Sequence, residues 1–216
     1  LAHPFALPGL DDPKSPYGVL AAAAAILGPE AVVATDVGQN QMRAAQAWPC
    51  HTPGKFLTSG GLGTMGFGLP AAIGAALADP SRPVACVTGD GGLLMNVQEL
   101  ATLAELGLPV KILLMDNGVL GLVRQQQALF VGGRYTASTF AARPDFVALA
   151  ASFGIAAIDL EPCRDARAAL TAVLAAPGPA LARIPVDPDA HVYPMVPPGA
   201  ANHEMILEKR HDHAHS

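Results

Sequence analysis

Charge is scarce in this sequence. Of its 216 residues only 14% are charged while 51% are apolar, which points to a large core and to surface meant for another domain or subunit. Thirteen basic against eighteen acidic residues leave a formal charge of −5. The cations form no stripe and do not interleave with aromatics, so nucleic acid is not expected as a partner. Long apolar runs are missing as well. The longest unbroken one, residues 19–27, is far too short to cross a bilayer, and no charged segment with an apolar stretch and cleavage site opens the chain. No membrane association is expected. There is no CxxC: Cys50, Cys86 and Cys163 stand far apart, as expected of reduced thiols without a role in a cytoplasmic protein. The first residue is Leu1, not methionine, and the expectation is a processed or excised piece of something longer. No internal repeat is visible.

What is present is an alternation. Short, β-branched apolar runs at 31–35 (AVVAT), 83–88 (PVACVT), 110–115 (VKILLM), 154–158 (GIAAI) and 180–186 (ALARIPV) read as strands covered on both faces. Between them, helices are expected at 16–27, 65–78, 97–106, 144–153 and 165–175. Ser15-Pro16 looks like an N-cap followed by proline at the first helical position, and Asn96 with Glu99 looks like a capping box. The alternation predicts an α/β fold: a doubly wound, mostly parallel sheet with helices on both faces, over residues 1–186. From residue 187 to 216 the chain turns rich in Pro and His and loses periodicity, and it reads as an extended tail or arm.

Glycine clusters where strands end or loops begin: Gly38; Gly60, Gly61 and Gly63; Gly89, Gly91 and Gly92; Gly118 and Gly121. Ligands of open α/β sheets sit beyond the carboxyl ends of the strands, so these loops are expected to line one edge. There lies the stretch that carries chemistry. Gly89-Asp90-Gly91 follows one strand, and Asn117 follows the next apolar strand. Taken alone, Gly-Asp-Gly is an ordinary turn and Asn117 a strand-end cap. If the two strands are neighbours, however, a carboxylate and an amide oxygen emerge side by side. Mg²⁺ takes few such oxygens from protein and the rest from phosphates and water, while Gly91 and Gly92 leave room for a diphosphate. The residues themselves thus allow a Mg²⁺–diphosphate site or a plain turn.

Gly-Asp-Gly followed in the mid-twenties by an asparagine, each at a strand end, resembles the signature of thiamine-diphosphate enzymes. The segments at 35–46 (TDVGQNQMRAAQ), 58–74 (TSGGLGTMGFGLPAAIG), 120–127 (LGLVRQQQ) and 192–205 (VYPMVPPGAANHEM) resemble the C-terminal domain of acetolactate synthase large subunits. The resemblance covers nearly the whole chain. It implies that Asp90 and Asn117 bind Mg²⁺ through side chains and Val119 through its carbonyl. It places Gly38, Gln39, Asn40, Gly91, Gly92, Leu120 and Gly121 around the diphosphate. The Gly63 backbone would meet the aminopyrimidine, Met65 would support the bent cofactor, and Leu122 would pack on the pyrimidine. Gln126 would bear on substrate choice, standing where many relatives have tryptophan. Many relatives also have histidine in place of Asn40, and asparagine in place of Asp116, which is taken as structural.

The same resemblance implies decarboxylation of pyruvate and transfer of the two-carbon unit to a second 2-oxo acid in branched-chain amino-acid synthesis. No catalytic residue is assigned here, because the activating glutamate is expected on a different domain. FAD is carried in the family mainly on a middle domain and is not expected on this one. Remaining domains or a partner subunit, a homo-oligomer and a regulatory small subunit are the implied partners. Two other readings stay open: a subunit of another thiamine-diphosphate-dependent 2-oxo acid decarboxylase, and a cofactor-holding module without chemistry of its own. Glu99 and Glu105 are expected in surface or capping roles, and His211, His213 and His215 as a solvated terminus.

Overall fold

The computed structural model describes residues 7–208. The terminal histidines His211, His213 and His215 lie outside the described residues. Six strands, β1 (Val32–Thr35), β2 (Phe56–Thr58), β3 (Val84–Gly89), β4 (Val110–Asp116), β5 (Ala156–Asp159) and β6 (Ala180–Pro185), form one sheet in the order β2-β1-β3-β4-β6-β5. Every pairing is parallel. The helices are α1 (Pro16–Leu27), α2 (Gln39–Ala47), α3 (Gly68–Ala78), α4 (Asp90–Met95), α5 (Glu99–Glu105), α6 (Gly121–Phe130), α7 (Phe146–Ser152) and α8 (Ala166–Ala175).

Alternate residues of each strand feed two separate cores, as the two-residue period of a strand requires. On one face Val33, Ala85, Val87, Leu113, Met115 and Ile184 meet Leu20 of α1, Ala44 of α2 and Leu170 of α8. On the other, Val32, Cys86, Ile112 and Leu114 meet Ile73 of α3, Leu93 of α4, Leu103 of α5 and Phe146 of α7. The sheet is therefore doubly wound, as the apolar strands imply. Cys86 is fully buried at its centre, and burial pushes its thiol far above the ordinary range. Among the described residues, no helix is long and apolar enough to cross a membrane.

Several boundaries differ from expectation for local reasons. Ser15 accepts a hydrogen bond from the Gly18 N–H (3.0 Å) and α1 begins at Pro16, but α3 starts at Gly68, leaving Met65 in the preceding turn. The expected capping box does not form. The Asn96 side chain donates to the Gly66 carbonyl (2.7 Å) and α5 begins only at Glu99. Residues 154 and 155 are not yet strand. They close α7, with Gly154 at φ +75° and the N–H groups of Gly154 and Ile155 returning to Ala151 and Ala150, a left-handed termination that glycine adopts at least cost. Elements not foreseen are β2, α2, α4, α6 and a 3₁₀ turn at Asn202–Glu204.

The chain after β6 returns over α2 and α6. Asp189 accepts two hydrogen bonds from Arg124, Ala190 accepts from buried Arg43, and the Val192 backbone binds Gln125. Arg124 also stacks on Tyr135, 3.8 Å from the ring centre. Met195 pairs with Ile206 as an antiparallel bridge.

Candidate cofactor site

The chain runs from β1 outward to β2 and then reverses to β3 on the other side of β1. At such a switch point the loops part and leave a crevice beyond the strand ends. A cavity of about 210 Å³ lies there. Its walls are the ends of β1, β3 and β4 and the helices they feed, with Gly63 and Met65 closing one side. Gly38, Gln39, Asn40, Gly91, Gly92, Leu120, Gly121 and Leu122 line it, as do Asp90, Asn117 and Val119. Gln126 does not. It is exposed on α6, one turn beyond Leu122 and Val123 and on the same side of the helix.

β3 and β4 are immediate neighbours, with Gly89 in register with Met115. Asp90 is thereby carried to the β4 exit, where its Oδ2 accepts the Gly118 N–H (2.8 Å) and its Oδ1 the Gly91 N–H (2.9 Å). Burial pushes this carboxyl up to about 6, against the lowering effect of those two hydrogen bonds and with Asp116 adding to the rise. A carboxylate held dry in this way is stabilised by a cation. Asn117 Oδ1 accepts from the Val119 N–H (3.1 Å). Gly118 and Leu120 pair with the Ser138–Phe140 segment through Gly118 O and Leu120 N, an isolated antiparallel bridge that leaves the Val119 carbonyl outside the pairing. Asp116 is ion-paired instead, to Arg183 (2.7 Å) and Arg143 (3.1 Å). Among the described residues there is no group of three or more His, Cys, Asp or Glu able to hold a metal. A cation at this edge would therefore draw on one carboxylate, amide and carbonyl oxygens, and its ligand.

Three helices start at the cavity, α2 after Gly38, α4 after Gly89 and α6 after Leu120, and none has a side-chain cap. Ser15, Asp145 and Asp165 cap α1, α7 and α8 with side-chain oxygens; α5 has no such cap either, and in α4 the Gly91 N–H is already taken by Asp90 Oδ1. Uncapped first-turn N–H groups carry partial positive charge and need acceptors, so their convergence on one crevice suits a polyanion such as a diphosphate. Asn40 is buried with its Nδ2 on the Val37 carbonyl (3.1 Å), while its Oδ1 has no hydrogen-bond partner among the described residues. A lone buried acceptor in a cavity fits a ligand N–H or a metal-bound water. The residues present thus fit a metal-bound diphosphate.

Two residues central to this geometry were not singled out from sequence. Asp36, at the end of β1, accepts N–H groups from Val37, Gly66 and Gly68 at 2.8–3.1 Å. It caps α3 from a distance, and a Cβ on Gly92 would lie 2.5 Å from its Oδ1. Gly92 is therefore kept small by Asp36. A repeated signal was available, since β1 and β3 both run apolar residues into threonine and then an aspartate within two positions. Gln125 is wholly buried, yet it lies in a glutamine run without any apolar period that would mark it.

A family profile described as "Thiamine pyrophosphate enzyme, C-terminal TPP binding domain" matches residues 36–184, the stretch from the end of β1 to β6. The chain is 53% identical over 205 residues, 95% of its length, to the acetolactate synthase isozyme 1 large subunit of Escherichia coli (strain K12), of which it covers 36%. It is 50% identical over 82% of its length to the isozyme 2 large subunit of the same organism, covering 32% of that protein. It is 44% identical over 94% of its length to the acetolactate synthase large subunit of Parasynechococcus marenigrum (strain WH8102), covering 33%. The chain spans about a third of the length of the curated relatives it matches. With the profile covering most of the parallel sheet and the whole crevice at its switch point, this chain belongs to the family of C-terminal thiamine pyrophosphate-binding domains of thiamine pyrophosphate enzymes.

Proposed function

We propose that the chain is the cofactor-binding part of an acetolactate synthase catalytic subunit. The observation that carries this reading is the crevice where Asp90, Asn117 and three uncapped helix starts converge. Asp90, Asn117 and the Val119 carbonyl would hold Mg²⁺, a cation that suits one carboxylate and neutral oxygens beside a diphosphate. Gly38, Gln39, Asn40, Gly91, Gly92, Leu120 and Gly121 would surround the diphosphate, the Gly63 backbone would meet the aminopyrimidine, and Met65 and Leu122 would support the cofactor rings. Thiamine diphosphate, when bound, supplies a thiazolium that acts as electron sink for loss of CO₂ from a 2-oxo acid. The chain's own task is to bind and orient it and to keep water out.

The cavity is smaller than the roughly 300–1,000 Å³ usual for an organic ligand, and among the described residues no glutamate lines it. The activating glutamate and the rest of the cleft come, on this reading, from other domains of the same protein or from a partner subunit. Acetolactate formation from pyruvate by the complete natural protein, dependent on thiamine diphosphate and Mg²⁺, is the direct test. This chain alone, given the same additions, is expected to show no turnover above background. Robust acetolactate production by the purified chain would mean that the architecture has been misread.

Substrate choice is assigned to Gln126, which follows one turn after the cavity-lining Leu122 and Val123. An indole at this place can pack on the extra methylene of 2-oxobutyrate, a contact worth about 1–3 kcal/mol. A glutamine offers less apolar contact and a head that wants water. The wild-type enzyme is therefore expected to show little preference for 2-oxobutyrate over pyruvate as second substrate. Gln126→Trp is expected to raise that preference about tenfold or more, measured by competition between the two oxo acids. A product ratio unmoved by the tryptophan, or a strong wild-type preference for 2-oxobutyrate, would refute the assignment.

A further inference from the structure

Among the described residues, two charged side chains line the cavity, Asp90 and Arg43, and they form no ion pair. The hydrogen bonds of Asp90 come from the Gly91 and Gly118 N–H groups, and Arg43 donates to the Ala190 carbonyl. Arg43 is only 3% exposed. It stands one turn after Gln39 and Asn40 on the buried face of α2. A helical side chain leans toward the N-terminus of its own helix, here the uncapped start of α2 at the cavity. A guanidinium offers several N–H donors, and one carbonyl leaves most of them unused. Burial pushes the Arg43 pKa below the usual arginine value, and the group that works against this is the Tyr17 phenol, not a carboxylate. Burying a cation costs stability unless an anion meets it. Asp90 is the mirror case, a carboxyl raised by burial. A ligand that pairs a divalent cation with phosphate oxygens answers both charges at once. A diphosphate brings more negative charge than one divalent cation offsets, and Asp90 adds to the excess. A second, fixed cation in the wall meets that excess, and the arginine fork matches phosphate oxygens.

We propose that Arg43 is the protein's own counter-cation for the diphosphate, a binding residue held from behind by the returning segment at Ala190. This rests on the reading of the crevice as a thiamine diphosphate site. A tie between α2 and the returning segment would need no charge. Gln46, one turn further along α2, makes such a tie with a neutral amide, donating to the Tyr193 carbonyl (2.8 Å). What a neutral residue at 43 would not supply is a positive charge in the cavity wall.

The test uses the complete natural protein and calorimetric titration of thiamine diphosphate at saturating Mg²⁺, with melting of the apo form followed in parallel. Arg43→Met keeps a long, helix-compatible side chain and removes the charge. It is expected to bind thiamine diphosphate about 10–100-fold more weakly, the scale of hydrogen bonds to a charged group. Its apo form is expected to melt no lower than wild type, because a buried charge has gone. Arg43→Lys restores the charge without the fork and is expected to bind at least about threefold more tightly than Arg43→Met. Unchanged affinity in Arg43→Met would overturn the proposal. So would an Arg43→Met protein that fails to fold, or whose apo form melts lower in step with the lost affinity, since a purely structural tie behaves in that way. A lysine variant no better than the methionine one would overturn it as well. A wild-type protein that fails to bind thiamine diphosphate would overturn the cofactor reading and this proposal together, whereas wild-type binding with an unaffected Arg43→Met removes this proposal alone.

Discussion

Asp90→Ala is expected to weaken Mg²⁺-dependent thiamine diphosphate binding by more than about 100-fold, beyond the 10–100-fold typical of losing a ligand's supporting partner. The change removes the anion at the junction of β3 and β4, where the Gly118 and Gly91 N–H groups hold it in place. The apo fold is expected to survive, because the lost hydrogen bonds are offset by no longer burying a carboxyl that the fold pushes up to about 6. The sign of that shift makes a second, independent check. With the folded value above the unfolded one, this group's contribution to apo stability falls as pH rises from about 4 to about 6. Cation affinity runs the other way, since protons compete for the carboxylate, and it is expected to drop as pH falls through about 6. Calorimetry of the complete protein over this range reads both. Unchanged cofactor affinity in a folded Asp90→Ala protein would rule out the metal assignment.

Asp36→Asn is expected to destabilise the fold by about 2–4 kcal/mol, and by more than a surface substitution of the same chemistry. Its carboxylate faces donors only, the N–H groups of Val37, Gly66 and Gly68. An amide must turn its own NH₂ toward at least one of them, leaving two donors opposed in a buried place. For a chain of this size, such a loss lowers the melting temperature by roughly 5–15 °C. Asp36 also lies under Gly92, so the loops after β1, β2 and β3 loosen together, and cofactor binding should weaken with them. A melting temperature within about 2 °C of wild type would show that the loops are held by something else.

The sheet was legible because its central strands are apolar on both faces. Residues 84–88 and 110–115 hardly admit another reading, and their adjacency turned a common Gly-Asp-Gly turn into a candidate site. The helices that went unseen are those that build the site. α2 buries Gln39, Asn40, Arg43 and Ala44, α6 buries Gln125, and α4 opens on Asp90-Gly91-Gly92. Hydrophobic periodicity finds a helix by the apolar stripe it hides, and these hide amides, a guanidinium and glycines instead. β2 is a three-residue edge strand, half-buried throughout, too short to stand out. Asn96 with Glu99 matched a capping motif, but a tertiary partner, the Gly66 carbonyl, took the Asn96 amide. Asp36 falls within one of the matching segments, but nothing local marks its role, because its partners Gly66 and Gly68 lie about thirty residues downstream in a loop whose path only the fold reveals.

α6 adds no residue to either hydrophobic core, and its outer face, with Val123 and Gln126, is exposed. Most substitutions on such a face move stability by less than about 0.5 kcal/mol. Whatever preference that face confers is therefore free to drift between lineages without endangering folding, and a laboratory library confined to it should be rich in folded members. If Gln126 sets substrate choice, selectivity and foldability would be inherited on separate residues, and that separation would give the scaffold room to evolve.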